Sequence, residues 1–301
     1  YNFGTGMLPV VKDILIRICE GNDNNEITNQ QILDQLEADL NKMEASDIAP
    51  KNYRADVVKD NYKDFNDKFY GNNNVMVSNK SALHGTHVSG IIGAARNNGK
   101  GMDGVADNVR IMTLRAVPDG DEHDKDIALA IYYAVDNGAK VINMSFGKGF
   151  SPEKKWVDDA VKYAESKGVL LVHAAGNDAK NLDTSFNYPT PIMLDQSRPN
   201  NWITVGASGD PKAGGLTASF SNYGKNEVDV FAPGVKIYAT VPGGNTYQNL
   251  QGTSMASPVV AGLAAMILEY FPTLSAAQVK KKKKKSSQNP GIDVNNPGTD
   301  E

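Results

Sequence analysis

The chain holds 301 residues, 40% of them hydrophobic and 22% charged, with a formal net charge of −4. That balance excludes a disordered or fibrous chain, and the lack of a basic excess argues against a general nucleic-acid binder. The length suits one large α/β domain or two small ones.

Cys19 is the only cysteine, so no intrachain disulfide can form. A reducing compartment and a secreted protein without disulfides account equally well for that count. Asn22 to Met43 is polar, yet Ile32, Leu33, Leu36 and Leu40 recur at helical spacing and predict one amphipathic helix. Lys51 to Tyr70 is charged and aromatic-bearing, with no strand signal. Residues 1–74 therefore read as a helical lead-in and 75–301 as the main domain. No signal peptide is visible, and the opening residues look like the middle of a protein.

From about residue 105 apolar runs alternate with helical patterns. Val109 to Val117 predicts a strand. Asp124 to Asn137 predicts a helix, with Asp124 as N-cap and Gly138 as stop. Val141 to Ser145 predicts a buried strand. Ser151-Pro152-Glu153 opens a further helix, with Ser151 as N-cap, that ends at Gly168. Val169 to Ala174 follows as a strand, and Trp202 to Ala207, Val228 to Phe231 and Ile237 to Val241 are further strand candidates. Strands separated by helices of this length argue for parallel βαβ units covered on both faces. Val259 to Leu268 is too short to span a bilayer and predicts a buried helix. Ser275 begins a last helix in which Lys280 to Lys285 leaves no apolar face. A polybasic tract and a solvated helix end are both readings of that run.

Three segments carry the chemistry: His84-Gly85-Thr86-His87-Val88-Ser89-Gly90, Val172-His173-Ala174-Ala175-Gly176-Asn177, and Gly252-Thr253-Ser254-Met255-Ala256-Ser257-Pro258. A serine where a loop enters a helix has an unpaired N–H, and the helix dipole favours negative charge beside it. Ser254 can thus be a nucleophile next to an oxyanion site, or simply a helix cap. Of the four histidines, His123 lies in an acidic loop and is expected to be exposed. His173 sits in an apolar strand as a core residue. His84 and His87 are three apart, but no HExxH pattern or carboxylate cluster supports a metal, so none is assigned. One of this pair is available as general base to a distant serine.

Together HGTHVSGIIGA, AAGN and GTSMASPVVAG resemble the sequence blocks of the subtilase family, in the family's order. Ser145-Phe146-Gly147 after VINM, and SFSNYG followed by VDVFAPG, extend the resemblance over about residues 75 to 280. It implies a three-layer α/β fold with a mostly parallel central sheet flanked by helices. It implies a serine endopeptidase in which Ser254 attacks, His84 moves the proton, and Asn177 with the Ser254 N–H holds the oxyanion. Ser145, Phe146 and Gly147 would pair with an extended polypeptide substrate. Gly147, Ala175 and Gly176 would line a roomy pocket for a bulky apolar side chain.

The family's triad also needs an aspartate in an Asp-Ser/Thr-Gly strand ahead of the histidine. No such motif is present: Asp13 precedes Ile14-Leu15, and Asp56, Asp60, Asp64 and Asp67 follow no strand. The expectation is a chain that starts downstream of that motif and is inactive, or nearly so, by itself. A peptide-binding module without catalysis is the alternative. A GxSxG esterase is excluded by the GTSMA sequence at Ser254. The chemistry requires no cofactor. A structural calcium at Arg96 to Asp103, with Asn97 and Asn98 as ligands, competes with an ordinary Asn-Gly turn. The resemblance further implies a bacterial, secreted or surface-held monomer with no membrane span and no nucleic-acid partner.

Overall fold

The structure is a computed structural model that describes residues 54–117, 122–209 and 216–288, together with Leu33. Cys19, Asp13 and the amphipathic helix over 22–43 lie outside these residues, apart from Leu33, which is helical and exposed. The chain divides into two units, Tyr1–Tyr70 and Gly71–Glu301.

In the first unit, Arg54–Val58 forms one π-helical turn. Its Arg54 pairs with the buried Asp60 and lies 5.0 Å from the Tyr62 ring centre. Asp64 and Asp67 accept backbone N–H groups from Asn66 and Asn61. These carboxylates organise their own turns.

The second unit is built on four parallel strands, β1 (Val141–Met144), β2 (Leu170–Ala174), β3 (Trp202–Ser208) and β4 (Val230–Pro233), in that spatial order. Val141 pairs with Leu170, Leu171 with Trp202 and Val205 with Val230. All of β2 is buried, and so is β3 up to Ala207. This is why both read as continuous apolar runs. Side chains alternate across the sheet. Leu170, Val172, Ile203, Val205 and Ala207 share one core with Ala256, Val260, Ala261 and Ala264.

Among the described residues, five helices flank the strands: α1 (Asn79–Gly93), α2 (Asp124–Asp136), α3 (Lys154–Ser166), α4 (Thr253–Tyr270) and α5 (Ala276–Ser286). α4 lies along all four strands, α3 packs on β2 and α2, and α1 packs on α4. α4 is long and apolar enough to cross a membrane by length and composition, but half of it is buried inside the protein. The two remaining strands, β5 (Ile237–Val241) and β6 (Thr246–Leu250), form a separate antiparallel hairpin against α1. His87 fastens it: its Nε2 lies 3.0 Å from the Ile237 carbonyl and 3.1 Å from that of Gln248.

Several local expectations are corrected. Val109 to Val117 is not a strand; it is hydrogen-bonded to no sheet neighbour, and Ile111 and Met112 are each 42% exposed. An apolar run becomes a strand only by pairing. Asp124 is the first residue of α2, not its cap, and is buried. Its carboxylate accepts from Lys148 Nζ at 2.8 Å, Ser151 Oγ at 2.9 Å and the Glu153 N–H at 2.8 Å. Ser151 therefore serves Asp124 instead of capping α3, whose cap position is Glu153. The last helix does have a buried side, formed by Ala276 and Val279. Ser275 and Gln278 bond reciprocally at its start, and Lys280 pairs with Asp229 at 3.2 Å.

Candidate active site

Parallel strands run out at a common end, and the loops leaving them meet there. Ser145 follows β1, Ala175-Gly176-Asn177 follows β2, and Gly234 follows β4. The Gly252 N–H donates to the Gly234 carbonyl at 2.8 Å, which seats the start of α4 at this edge. Gly252 adopts φ 145°, a backbone that favours glycine.

At that point Asn177 meets α4. Its Oδ1 accepts from Thr253 N and from Thr253 Oγ1, both at 2.9 Å. The Thr253 hydroxyl in turn accepts from the Gly176 N–H at 3.1 Å. Because Oδ1 is claimed twice by donors, the amide cannot be flipped, and Nδ2 must face away from Thr253. Among the described residues, neither Asn177 Nδ2 nor the Ser254 N–H has a hydrogen-bond partner. A side-chain carbon placed on Gly252 would stand 3.4 Å from Asn177 Nδ2 and 3.7 Å from Ser254 N. Two donor nitrogens without a partner among the described residues thus lie beside the bare face of one glycine. Thr253, which the sequence reading passed over, sets that orientation; only its place next to Ser254 hinted at a role.

Ser254 is half-buried, and its Oγ donates to the Ser145 carbonyl at 3.3 Å. His84 is on α1, which packs on α4, but no hydrogen bond joins the imidazole to Ser254. Among the described residues no carboxylate pairs with His84. Its ring is exposed at the surface yet flanked closely enough by protein that lost hydration lowers its pKa, and His87 beside it lowers it further. His173 is 1% exposed, and its Nε2 lies 2.8 Å from the Phe146 carbonyl. Burial pushes its pKa down to about 4. This core histidine braces the segment after β1. His123 is half-buried at the α2 cap position, not exposed as expected.

The Asn187 carboxamide stands close to both Gly147 and Gly176. A side-chain carbon on Gly147 would run into the carboxamide of Asn187, and one on Gly176 would lie 3.2 Å from Asn187 Nδ2. Asn187 Nδ2 donates to the carbonyls of Ala174 and Ala175 at 3.1 and 3.0 Å. Its Oδ1 has no partner among the described residues. Nothing in the sequence around Asn187 signals this, because the residue arrives from a loop ten positions downstream of Asn177. The 96–103 loop turns its oxygens inward: Asn98 Oδ1 accepts from Lys100 N at 2.9 Å, and Asp103 Oδ1 from Asn97 N at 3.2 Å.

A parallel sheet flanked by helices, with a serine opening a helix at the strand ends beside a fixed carboxamide, places the second unit in the layered α/β class. The chain belongs to the subtilase family (peptidase S8), whose profile matches residues 13–298. It is 45% identical over 185 residues to a thermophilic serine proteinase of Bacillus sp. AK1, covering 61% of this chain and 42% of that protein. It is 42% identical over 212 residues to subtilisin DY of Bacillus licheniformis, covering 69% of this chain and 71% of that protein. It is 37% identical to a cell wall-associated protease of Bacillus subtilis, covering 74% of this chain and 23% of that protein. A protease of Pseudoalteromonas arctica superposes with a TM-score of 0.61 at 31% identity, covering 71% of this chain and 67% of that one. The subtilisin-like three-layer α/β fold is thereby shown.

Proposed function

We propose that this protein is a serine endopeptidase acting through Ser254. The placement of the two donors, Asn177 Nδ2 and the Ser254 N–H, beside Gly252 carries the reading. Such donors hold negative charge on a carbonyl oxygen as it develops. Ser254 Oγ attacks the scissile carbonyl carbon while His84 takes its proton. The tetrahedral oxyanion rests on the two donors. Collapse expels the amine, which receives the proton from His84, and water then hydrolyses the acyl-enzyme by the same route. The Ser145–Gly147 segment pairs with the extended polypeptide, and Gly147, Ala175, Gly176 and Asn187 surround the side chain before the cleaved bond. The likeness to a cell wall-associated protease supports a surface location.

A fluorophosphonate that labels serine nucleophiles tests the reading. Mass mapping is expected to place the adduct on Ser254, with none on Ser254→Ala, and a chromogenic peptide is expected to be cleaved. No adduct under conditions that label subtilisin DY would overturn it. The second reading, a peptide-binding module, is favoured by the lack of a carboxylate at His84 among the described residues. It predicts peptide binding with neither labelling nor cleavage.

A further inference from the structure

Pro258 stands four residues after Ser254 inside α4. In a regular helix the N–H of residue 258 would bond the carbonyl of residue 254. Proline has no N–H, and its ring crowds that carbonyl. The Ser254 carbonyl is therefore orphaned by the sequence of its own helix and must find a donor elsewhere.

The donor is Ser145, whose Oγ lies 2.9 Å from the Ser254 carbonyl oxygen. A carbonyl only accepts, so the single Ser145 hydroxyl proton points at Ser254. Ser145 Oγ must then be an acceptor toward Asn143, whose Nδ2 lies 2.9 Å away. That fixes the Asn143 amide: Oδ1 faces Ser257, whose buried hydroxyl donates to it at 2.7 Å. The whole chain runs one way, from Ser257 to Asn143 to Ser145 to the Ser254 carbonyl, because its last member cannot donate.

We propose that Asn143 is a positioning residue for the nucleophile, acting through Ser145 on the backbone of Ser254, in a role that Pro258 imposes. It touches neither substrate nor the reacting atoms. The carbonyl it steadies belongs to the residue that carries both the attacking hydroxyl and one oxyanion donor, so a small rotation there displaces two functional groups together. The inference rests on the peptidase reading above, since only a reacting hydroxyl gives this placement a consequence for chemistry.

Asn143→Asp tests it without a change of shape. An ionised carboxylate accepts from Ser145, draws its only proton away and leaves the Ser254 carbonyl bare. A protonated carboxyl can donate to Ser145 and restore the chain. The readout is the second-order labelling rate of Ser254 by a small fluorophosphonate with no peptide arm, which does not report on the substrate strand. At pH 8 the variant is expected to label roughly ten- to a hundredfold more slowly than wild type, the scale of a small misplacement. The ratio of variant to wild type is expected to climb as pH falls through the new carboxyl's titration. In a Pro258→Ala background, where the helix regains its own donor, the Asn143→Asp defect is expected to shrink. Equal labelling at every pH overturns the proposal, as does a pH-independent deficit with a lowered melting temperature, which would mark a merely structural role. If wild type itself does not label, the peptidase reading fails first and the proposal with it.

Discussion

The buried imidazole of His173 contributes to the acid behaviour expected of the fold. His173 has a folded pKa of about 4 against an ordinary 6.5. A lowered imidazole pKa means the unfolded chain binds the proton first, so stability present above pH 6.5 is lost as pH falls towards 4. Fully developed, the loss is about 3 kcal/mol. Melting temperature followed between pH 7 and 4 should show this slope, and His173→Gln should reduce it, leaving the share of His84 and His87, which are lowered in the same direction. His84 shifts the same way, which keeps its imidazole neutral to lower pH. The acid limb of kcat/KM is thus expected below the ordinary imidazole range, and a limb at or above it would contradict the assignment. Asn177→Ala removes one of the two proposed oxyanion donors. It should lower kcat by about 10²–10³ with little change in KM, a range set by a subtilisin asparagine. Asn187→Gly removes the carboxamide between Gly147 and Gly176. Relative kcat/KM for a phenylalanine over an alanine before the cleaved bond should rise about tenfold or more.

Elements were legible where local pattern and burial agree. β2 and β3 are buried on both sides, so their apolar runs announced themselves, and Gly138 and Gly168 stop α2 and α3 with φ of 85° and 72°. Ser254, Asn177 and His84 stand out as candidates because each sits in a contiguous block. What stayed hidden depends on partners distant in the chain. Thr246–Leu250 is polar and becomes β6 only by pairing with β5, while Val109 to Val117 is apolar and pairs with nothing. Asn187 and Asn143 act through hydrogen bonds to other segments, which no local spacing records. The α1–β5 contact is tight for the same nonlocal reason: a methyl on Gly90 would collide with the Thr240 side chain. Gly90→Ala should therefore push α1, and His84 with it, off the hairpin. A cost of about 1–3 kcal/mol in denaturant unfolding is expected, with a fall in labelling of Ser254.

At the scale of the second unit, one helix does two jobs. Its first turn presents Ser254, and its remaining length packs against every strand of the parallel sheet. Many enzymes lose activity on warming before they melt, because the working residues ride on loops that loosen early. Here Ser254, the proposed nucleophile, is mounted on the central beam of the building. Heating curves for catalysis and for collapse of the main chain should therefore lie on top of one another, with no temperature range in which the protein stands intact but idle.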